Sequence, residues 1–265
     1  MYLSCNLNGR LGNYLFIIIS SWSYAKKNNL EFIMDFSLKL NKYYNNFFGK
    51  INLTKKNNIH WISKHFDVFE NCLTFNTDSK NNLQFTGYLQ NANNFEIYRD
   101  DVLKHFFNID KPLEPNNNFC IHIRLTDFLT SQNHNINLDN YYSQAINLAS
   151  TLIDFFNINI YIISDDINIA KEKEYLKLLP EKNLIYLDNK IYDEIMTFEL
   201  FKNCYQGCII GNSTFAWWGA WIINNPSKLV IIPDKFLNTK DDYSGLYLDY
   251  KVINPLLSKR PYMVF

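Results

Sequence analysis

The sequence predicts an α/β protein built from two Rossmann-like domains with parallel sheets, and three features predict it. Residues 2–34 read strand, Gly-containing loop, helix, strand, which is a βαβ unit. Residues 119–232 alternate β-α-β-α-β-α-β, the order that gives a parallel sheet with helices on both faces. Between them, residues 108–118 carry Pro112, Pro115 and three consecutive asparagines, the composition of a linker. The expected domains are therefore 1–112 and 113–265.

In the first domain, Tyr2–Cys5 is the opening strand and residues 6–13 (Asn-Leu-Asn-Gly-Arg-Leu-Gly-Asn) form the loop. A helix follows with apolar residues at Leu15, Ile18, Ile19, Trp22 and Ala25, close to the 3.6-residue period. Asn28-Asn29 ends it, and Leu30–Met34 is a second strand closing on Asp35. Gly9-x-x-Gly12 is neither the full dinucleotide fingerprint nor a P-loop, so on its own it reads equally as a tight βα turn or a ligand loop. Residues 39–80 are polar with short mixed segments. Phe85–Gln90 leads into a helix from about Phe95 to Phe107, with Tyr98, Val102, His105 and Phe106 on one face.

The second domain opens with Phe119–Arg124, where Phe119, Ile121 and Ile123 point one way and Cys120, His122 and Arg124 the other. His122 and Arg124 thus share a face at the carboxyl end of a strand, where open α/β sheets bind ligands. The planar fork of Arg124 suits a diphosphate; an ion pair with Asp127 in the following loop is the structural alternative. After a loop carrying His134 and a helix over 140–152, Ile158–Ile163 is an apolar strand ending in Ser164-Asp165-Asp166. No Asp-x-Asp spacing or third ligand points to a metal. Asp165 suits a ribose or guanine edge, and Asp166 a helix cap.

Leu184–Tyr186 and a helix over Tyr192–Cys204 lead to Cys208–Ile210, then Gly-Asn-Ser-Thr, then an aromatic helix with Trp217, Trp218 and Trp221. Ser213 or Thr214 is the expected N-cap. The N–H groups from Ser213 through Thr214 to Phe215, backed by the helix dipole, form an anion site. Gly219 and Ala220 leave room for another backbone or a flat ligand; a buried helix is the plainer reading. Leu229–Ile232, closed by Pro233, is the last strand, and the tail from Leu237 is irregular.

Composition narrows the function. The 26 basic and 26 acidic residues cancel, and the lysines form no stripe, which argues against nucleic-acid binding. The 5 cysteines are odd in number and irregularly spaced, so free buried thiols are expected rather than disulfides, and Cys204 and Cys208 have no histidine near them to make a zinc site. Leu15–Tyr24 is shorter than the ~20 residues of a membrane span, and neither a basic leader nor a cleavage site accompanies it, so a cytoplasmic protein is expected. Asn212-Ser213-Thr214 matches a glycosylation sequon, but a glycan there would block the turn.

Taken together, five stretches resemble the α-1,2-fucosyltransferase family, glycosyltransferase family 11. Residues 9–13 (Gly-Arg-Leu-Gly-Asn) are similar to its Gly-x-Gly-Asn-Gln motif, residues 87–90 (Gly-Tyr-Leu-Gln) to Gly-Tyr-(Trp/Phe)-Gln, and residues 122–127 (His-Ile-Arg-Leu-Thr-Asp) to His-x-Arg-x-Gly-Asp. Ser164-Asp165-Asp166 and residues 212–221 complete the set. Tyr14 stands where Gln is usual, Leu125 replaces a second Arg, and Thr126 replaces Gly, as in the related α-1,6 enzymes.

The resemblance implies a GT-B fold, two Rossmann-like domains facing across a cleft. It implies an inverting, metal-independent transfer of L-fucose from GDP-β-L-fucose, held by the C-terminal domain, to a glycan acceptor such as the 2-OH of a terminal galactose. Arg124 and the amides at Ser213–Phe215 would take the leaving diphosphate. His122 and Asp165 would take guanosine, Asn212 would line the donor site, and Arg10 and Asn13 the pyrophosphate or fucose. Asp127 is the expected base, with Asp35 behind it. No cofactor is implied. The alternatives are a non-catalytic glycan- or nucleotide-binding protein on this scaffold, and a transferase using another GDP-sugar or linkage.

Overall fold

The computed structural model describes residues 1–34, 38–54, 59–76, 81–188 and 190–253, apart from the side chains of residues 38, 39, 127 and 129. The chain divides into two compact units, one of residues 1–110 with 244–246, the other beginning at Lys111.

The first unit is a βαβ-built parallel sheet. Its strands are β1 (Tyr2–Cys5), β2 (Glu31–Met34), β3 (Asn52–Leu53), β4 (Trp61–His65) and β5 (Asn82–Thr86), in the order β3-β2-β1-β5-β4. All four pairings are parallel. Helix α1 (Leu11–Lys27) is buried through almost its whole apolar length, and Lys26 and Lys27 sit in its last turn, where they complement the dipole. Its C-terminal end is closed by the Asn28 N–H bonding the Ala25 and Tyr24 carbonyls. The abundant aromatics pack edge-on within this core: Tyr24 against Phe85 at 4.8 Å and Phe66 against Phe85 at 4.7 Å.

The polar stretch 39–80 yields only short pieces, including α2 (Leu38–Asn41), β3 and the edge strand β4. The helix expected from Phe95 starts later. A 3₁₀ turn at Glu96–Tyr98 precedes α3 (Arg99–Phe106), whose first turn carries Asp100 and Asp101.

The second unit has strands β6 (Asn118–Ile123), β7 (Asn159–Ser164), β8 (Leu184–Tyr186), β9 (Gly207–Ile210), β10 (Leu229–Pro233) and β11 (Lys251–Ile253). Their order is β11-β10-β9-β6-β7-β8, again all parallel. The helices are α4 (Thr126–Thr130), α5 (Asp139–Leu152), α6 (Ile167–Lys171), α7 (Glu194–Lys202) and α8 (Thr214–Ile222). The three-residue strand β11 lies in the tail that the sequence left irregular. From β6 the chain winds outward through β7 and β8, then returns to place β9 on the other side of β6. The topological switch point, where such sheets open a crevice, therefore falls between β6 and β9.

Two buried hydroxyls of α5 hold that edge of the sheet. Tyr141 donates to the carbonyls of Ile210 (2.6 Å) and Ile231 (2.9 Å), and Tyr142 to the carbonyl of His122 (2.8 Å). These bonds tie α5 to carbonyls of β6, β9 and β10. Trp217, Trp218 and Trp221 are fully buried, and the ring of Phe201 fills the space over Gly219, where a Cβ would meet it at 2.5 Å. The gap expected there for a flat ligand is filled by the protein's own core. At the far end of α8, Lys228 Nζ donates to the carbonyls of Ala220, Trp221 and Ile223.

All five cysteines are free and buried. Among the described residues, no helix is long and apolar enough to cross a membrane, and no group of three His, Cys, Asp or Glu side chains could share a metal ion.

Candidate active site

The switch point is flanked by the loop after β6, which begins with Arg124, and the turn after β9, residues 211–213. His122 pairs with Ile210 across the two strands, so both segments leave the sheet side by side. Arg124 is partly covered, its side chain 18% exposed, and so is neither free in solvent nor sealed in the core. Its Nε lies 3.3 Å from Oδ2 of Asp165, and its guanidinium carbon sits 5.2 Å over the Phe128 ring. Asp165 also accepts the Leu125 N–H at 2.8 Å through Oδ1 and the Thr126 hydroxyl through Oδ2. This carboxylate, which the sequence assigns to guanosine, is bonded to the Arg124 loop at three points.

The contacts continue to the other side of the crevice. Phe128 packs against His134 in a tilted pair at 4.5 Å, and the His134 carbonyl accepts from Asn212 Nδ2 at 3.0 Å. The same Nδ2 donates to the Phe236 carbonyl at 3.0 Å, and Asn212 is only 4% exposed. Asn212, which its motif leads one to expect in the donor site, thus ties its own turn to the His134 and Phe236 loops. Its burial also disposes of the sequon.

Ser213 stands at the N-cap of α8 in extended conformation, with φ −120° and ψ 125°. Its N–H bonds the Gly211 carbonyl at 2.8 Å, and the Trp217 N–H closes the first turn on the Ser213 carbonyl at 2.9 Å. The expected side-chain cap is missing: the Ser213 hydroxyl makes no cap bond. Thr214 and Phe215 begin the helix at half-buried positions, ahead of the first intrahelical donor. Gly211 is required here, since a Cβ would lie 2.5 Å from the Tyr142 hydroxyl that holds His122.

His122 lies beneath this turn, 5% exposed, with its ring 6.1 Å from Phe215 and 6.4 Å from Phe201. Burial, reinforced by the Arg124 charge and partly offset by Asp165, pushes its pKa down to about 4. The imidazole is therefore neutral near pH 7. Its Nδ1 is buried with no partner in the structure, an unusual state for such an atom. Asp166 caps α6, accepting the Asn168 and Ile169 N–H groups at 3.1 Å, as the plainer reading had it. Asp127 has its backbone in α4, but its side chain lies outside the described residues, as does Asp35.

The first unit gathers its own motif residues at the corresponding switch point, between β1 and β5. Gln90 Nε2 donates to Asn13 Oδ1 at 3.0 Å, and Asn8 Nδ2 to the Tyr88 hydroxyl at 2.9 Å. Gly9, at φ +85°, makes room for the Asn13 amide, which a Cβ would meet at 2.1 Å. Arg10 is exposed at the N-cap of α1. Two of the three departures from the motif are buried, Tyr14 at 6% exposed and Leu125 at 3% in the core of the second unit, while Thr126 is exposed. Gln90 was legible within its motif. Phe128, Tyr141 and Tyr142 were not flagged as site residues, because nothing near them in sequence shows what they touch.

Three comparisons bear on this arrangement. An α-1,2-colitosyltransferase of Escherichia coli is 23% identical over 192 residues, 68% of this chain and 64% of that protein. The O-antigen biosynthesis glycosyltransferase WbnK of Escherichia coli is 27% identical over 213 residues, 72% and 66% of the two chains. This chain thus matches just under two thirds of each relative's length. Among solved structures, NodZ α-1,6-fucosyltransferase soaked with GDP-fucose has a similar fold, with TM-score 0.52 over 84% of this chain and 92% of that one, at 12% identity. That likeness agrees with a GT-B class of two parallel-sheet α/β domains. The profile of Glycosyl transferase family 11 runs from residue 11 to residue 244, through the motif stretches at 87–90, 122–127, 164–166 and 212–221, and the chain belongs to that family.

Proposed function

We propose that the protein is an inverting fucosyltransferase that moves L-fucose from GDP-β-L-fucose to a hydroxyl of a glycan acceptor, the 2-OH of a terminal galactose being the favoured position. An acceptor hydroxyl attacks C1 in line, the C1–O bond to the β-phosphate breaks, and GDP leaves carrying the negative charge. Arg124 and the amides of Thr214 and Phe215 stabilise that charge, in a transfer that uses no metal or cofactor; the Ser213 N–H, expected among them, is instead bonded to the Gly211 carbonyl. His122, neutral beneath the Phe215 turn, is assigned to the guanosine side of the site. Asp127 is the assigned base, taking the acceptor proton, and Arg10 and Asn13 contribute to the donor site.

The observation that carries this reading is the meeting of the Arg124 loop and the Ser213 turn at one switch point, joined through Phe128, His134 and Asn212. The α-1,2 linkage draws support from the relative named for that linkage, while the fold likeness to an α-1,6 enzyme supports neither. The colitosyltransferase relative favours one second reading, a transferase of the same architecture using a different donor sugar.

The test is product analysis after GDP-fucose is offered with a panel of galactosides and other glycans. A fucosylated galactoside with an α-1,2 bond supports the proposal. Transfer at another hydroxyl corrects the linkage, and GDP release with no glycan product contradicts it.

A further inference from the structure

Two contacts of different chemistry hold Arg124. Asp165 Oδ2 meets its Nε at 3.3 Å, and this contact sets one edge of the guanidinium. The Phe128 ring lies against the guanidinium carbon at 5.2 Å, and a ring face sets the plane. An arginine side chain has many rotamers, so a fork that is to make two parallel bonds to phosphate gains from having its plane set beforehand.

Phe128 stands four residues after Arg124, on the five-residue helix α4. A helix so short is not stable by itself, so the ring needs backing from outside it. His134 supplies that backing in the tilted pair at 4.5 Å. The imidazole is fixed in turn: its Nδ1 lies 2.9 Å from the Ser131 hydroxyl. The segment that carries it closes on itself, the Asn135 N–H donating to the Ser131 carbonyl at 2.8 Å. Two bonds then anchor it to other loops, from Asn212 Nδ2 to the His134 carbonyl at 3.0 Å and from the Asn238 N–H to the Asn133 carbonyl at 2.6 Å.

Packing alone does not account for the ring. Among the described residues, Phe128 belongs neither to the buried core built around β6, β7 and α5 nor to the partly buried side chains packed on it. Phe128, His134 and Arg124 are all half-buried, at the carboxyl edge of β6. An aromatic side chain held there against a charged group, with its own support, is placed for that group.

We propose that Phe128 is a positioning residue of the donor site: backed by His134, its ring face fixes the plane of the Arg124 guanidinium. The consequence for nucleotide binding rests on the transferase reading, in which Arg124 meets the diphosphate; the hold on Arg124 does not.

The experiment replaces Phe128 in the full chain with mono-, di- and trifluorophenylalanine, and in parallel with Tyr and Leu. Fluorine draws charge from the ring face and leaves the ring's size nearly unchanged, so packing is kept while the attraction to the cation falls step by step. The GDP Kd is expected to rise along the fluorinated series, by about 2- to 30-fold in all. Phe128→Tyr, which keeps the face, should stay near the parent. The ¹H–¹⁵N resonance of Arg124 Nε, identified by its loss in Arg124→Lys, should move in Phe128→Leu as the ring is removed. A GDP Kd that stays flat along the fluorinated series overturns the positioning role, as does an Arg124 resonance that does not move in Phe128→Leu. A parent that binds no GDP removes the transferase reading instead, and the resonance comparison then decides the hold on Arg124 by itself.

Discussion

The carboxylate of Asp165 holds Arg124 from the next strand: its Oδ2 lies 3.3 Å from Arg124 Nε, and its Oδ1 takes the Leu125 N–H at 2.8 Å. One acid thus sets both the guanidinium and the backbone that carries it. Asp165→Asn keeps the shape but weakens both bonds. It is expected to lower kcat more than it raises the KM for GDP-fucose, and to destabilise the fold by ~1–3 kcal/mol, the cost of partly unpairing covered polar groups. Steady-state kinetics with a denaturant titration checks both. An Asp165→Asn enzyme with parental kcat removes the orienting role.

Arg124→Lys retains a positive charge near Asp165 but loses the planar fork. A fall in kcat of ~10²–10³ is expected, with little change in unfolding midpoint, as for loss of one preorganised donor to a developing charge. Near-parental turnover of the lysine variant sinks the phosphate role.

His122 makes stability depend on pH. Unfolded, it takes up a proton near its ordinary value of about 6.5; folded, it resists until about 4. Its contribution is present above pH 6.5 and is lost as pH falls toward 4, because the unfolded state binds the extra proton. The full loss is on the order of 3 kcal/mol. Denaturant unfolding between pH 7 and pH 4 is expected to show a shallower fall in His122→Asn than in the parent; parallel curves contradict it.

Gly219→Ala pushes a methyl group toward the Phe201 ring, which already stands 2.5 Å from that position. Overpacking of this kind costs about 1–3 kcal/mol. Because the α8 tryptophans are core, GDP affinity of the folded variant should be unchanged. Thermal unfolding and GDP titration together test this, and a selective loss of GDP binding would mean that the helix face meets ligand after all.

Much of the fold was legible because each strand–turn–helix unit announces itself locally. Tyr2–Cys5 and Leu184–Tyr186 carry the bounds read for them, and the Trp-rich α8 begins directly after the Gly-Asn-Ser turn as expected, though without the side-chain cap. Residues 39–80 were not legible: β3 has two residues and β4 is an edge strand with an irregular burial pattern, so neither shows a period. At the site, residue types gave the members and not their duties. Asp165 is forty positions from Leu125, and only the pairing of β6 with β7 brings it against Arg124. Asn212 became a brace for the same reason, since its partners His134 and Phe236 arrive from elsewhere in the chain.

The central claim is that the crevice between β6 and β9 catches a guanosine diphosphate. Thermal unfolding of the full chain with GDP, UDP or ADP at equal concentration tests it most directly. GDP at ~100 times its Kd is expected to add ~2.7 kcal/mol of stability, with no response to UDP or ADP and none to GDP in Arg124→Ala. An absent GDP response, or an equal one to all three nucleotides, contradicts the account.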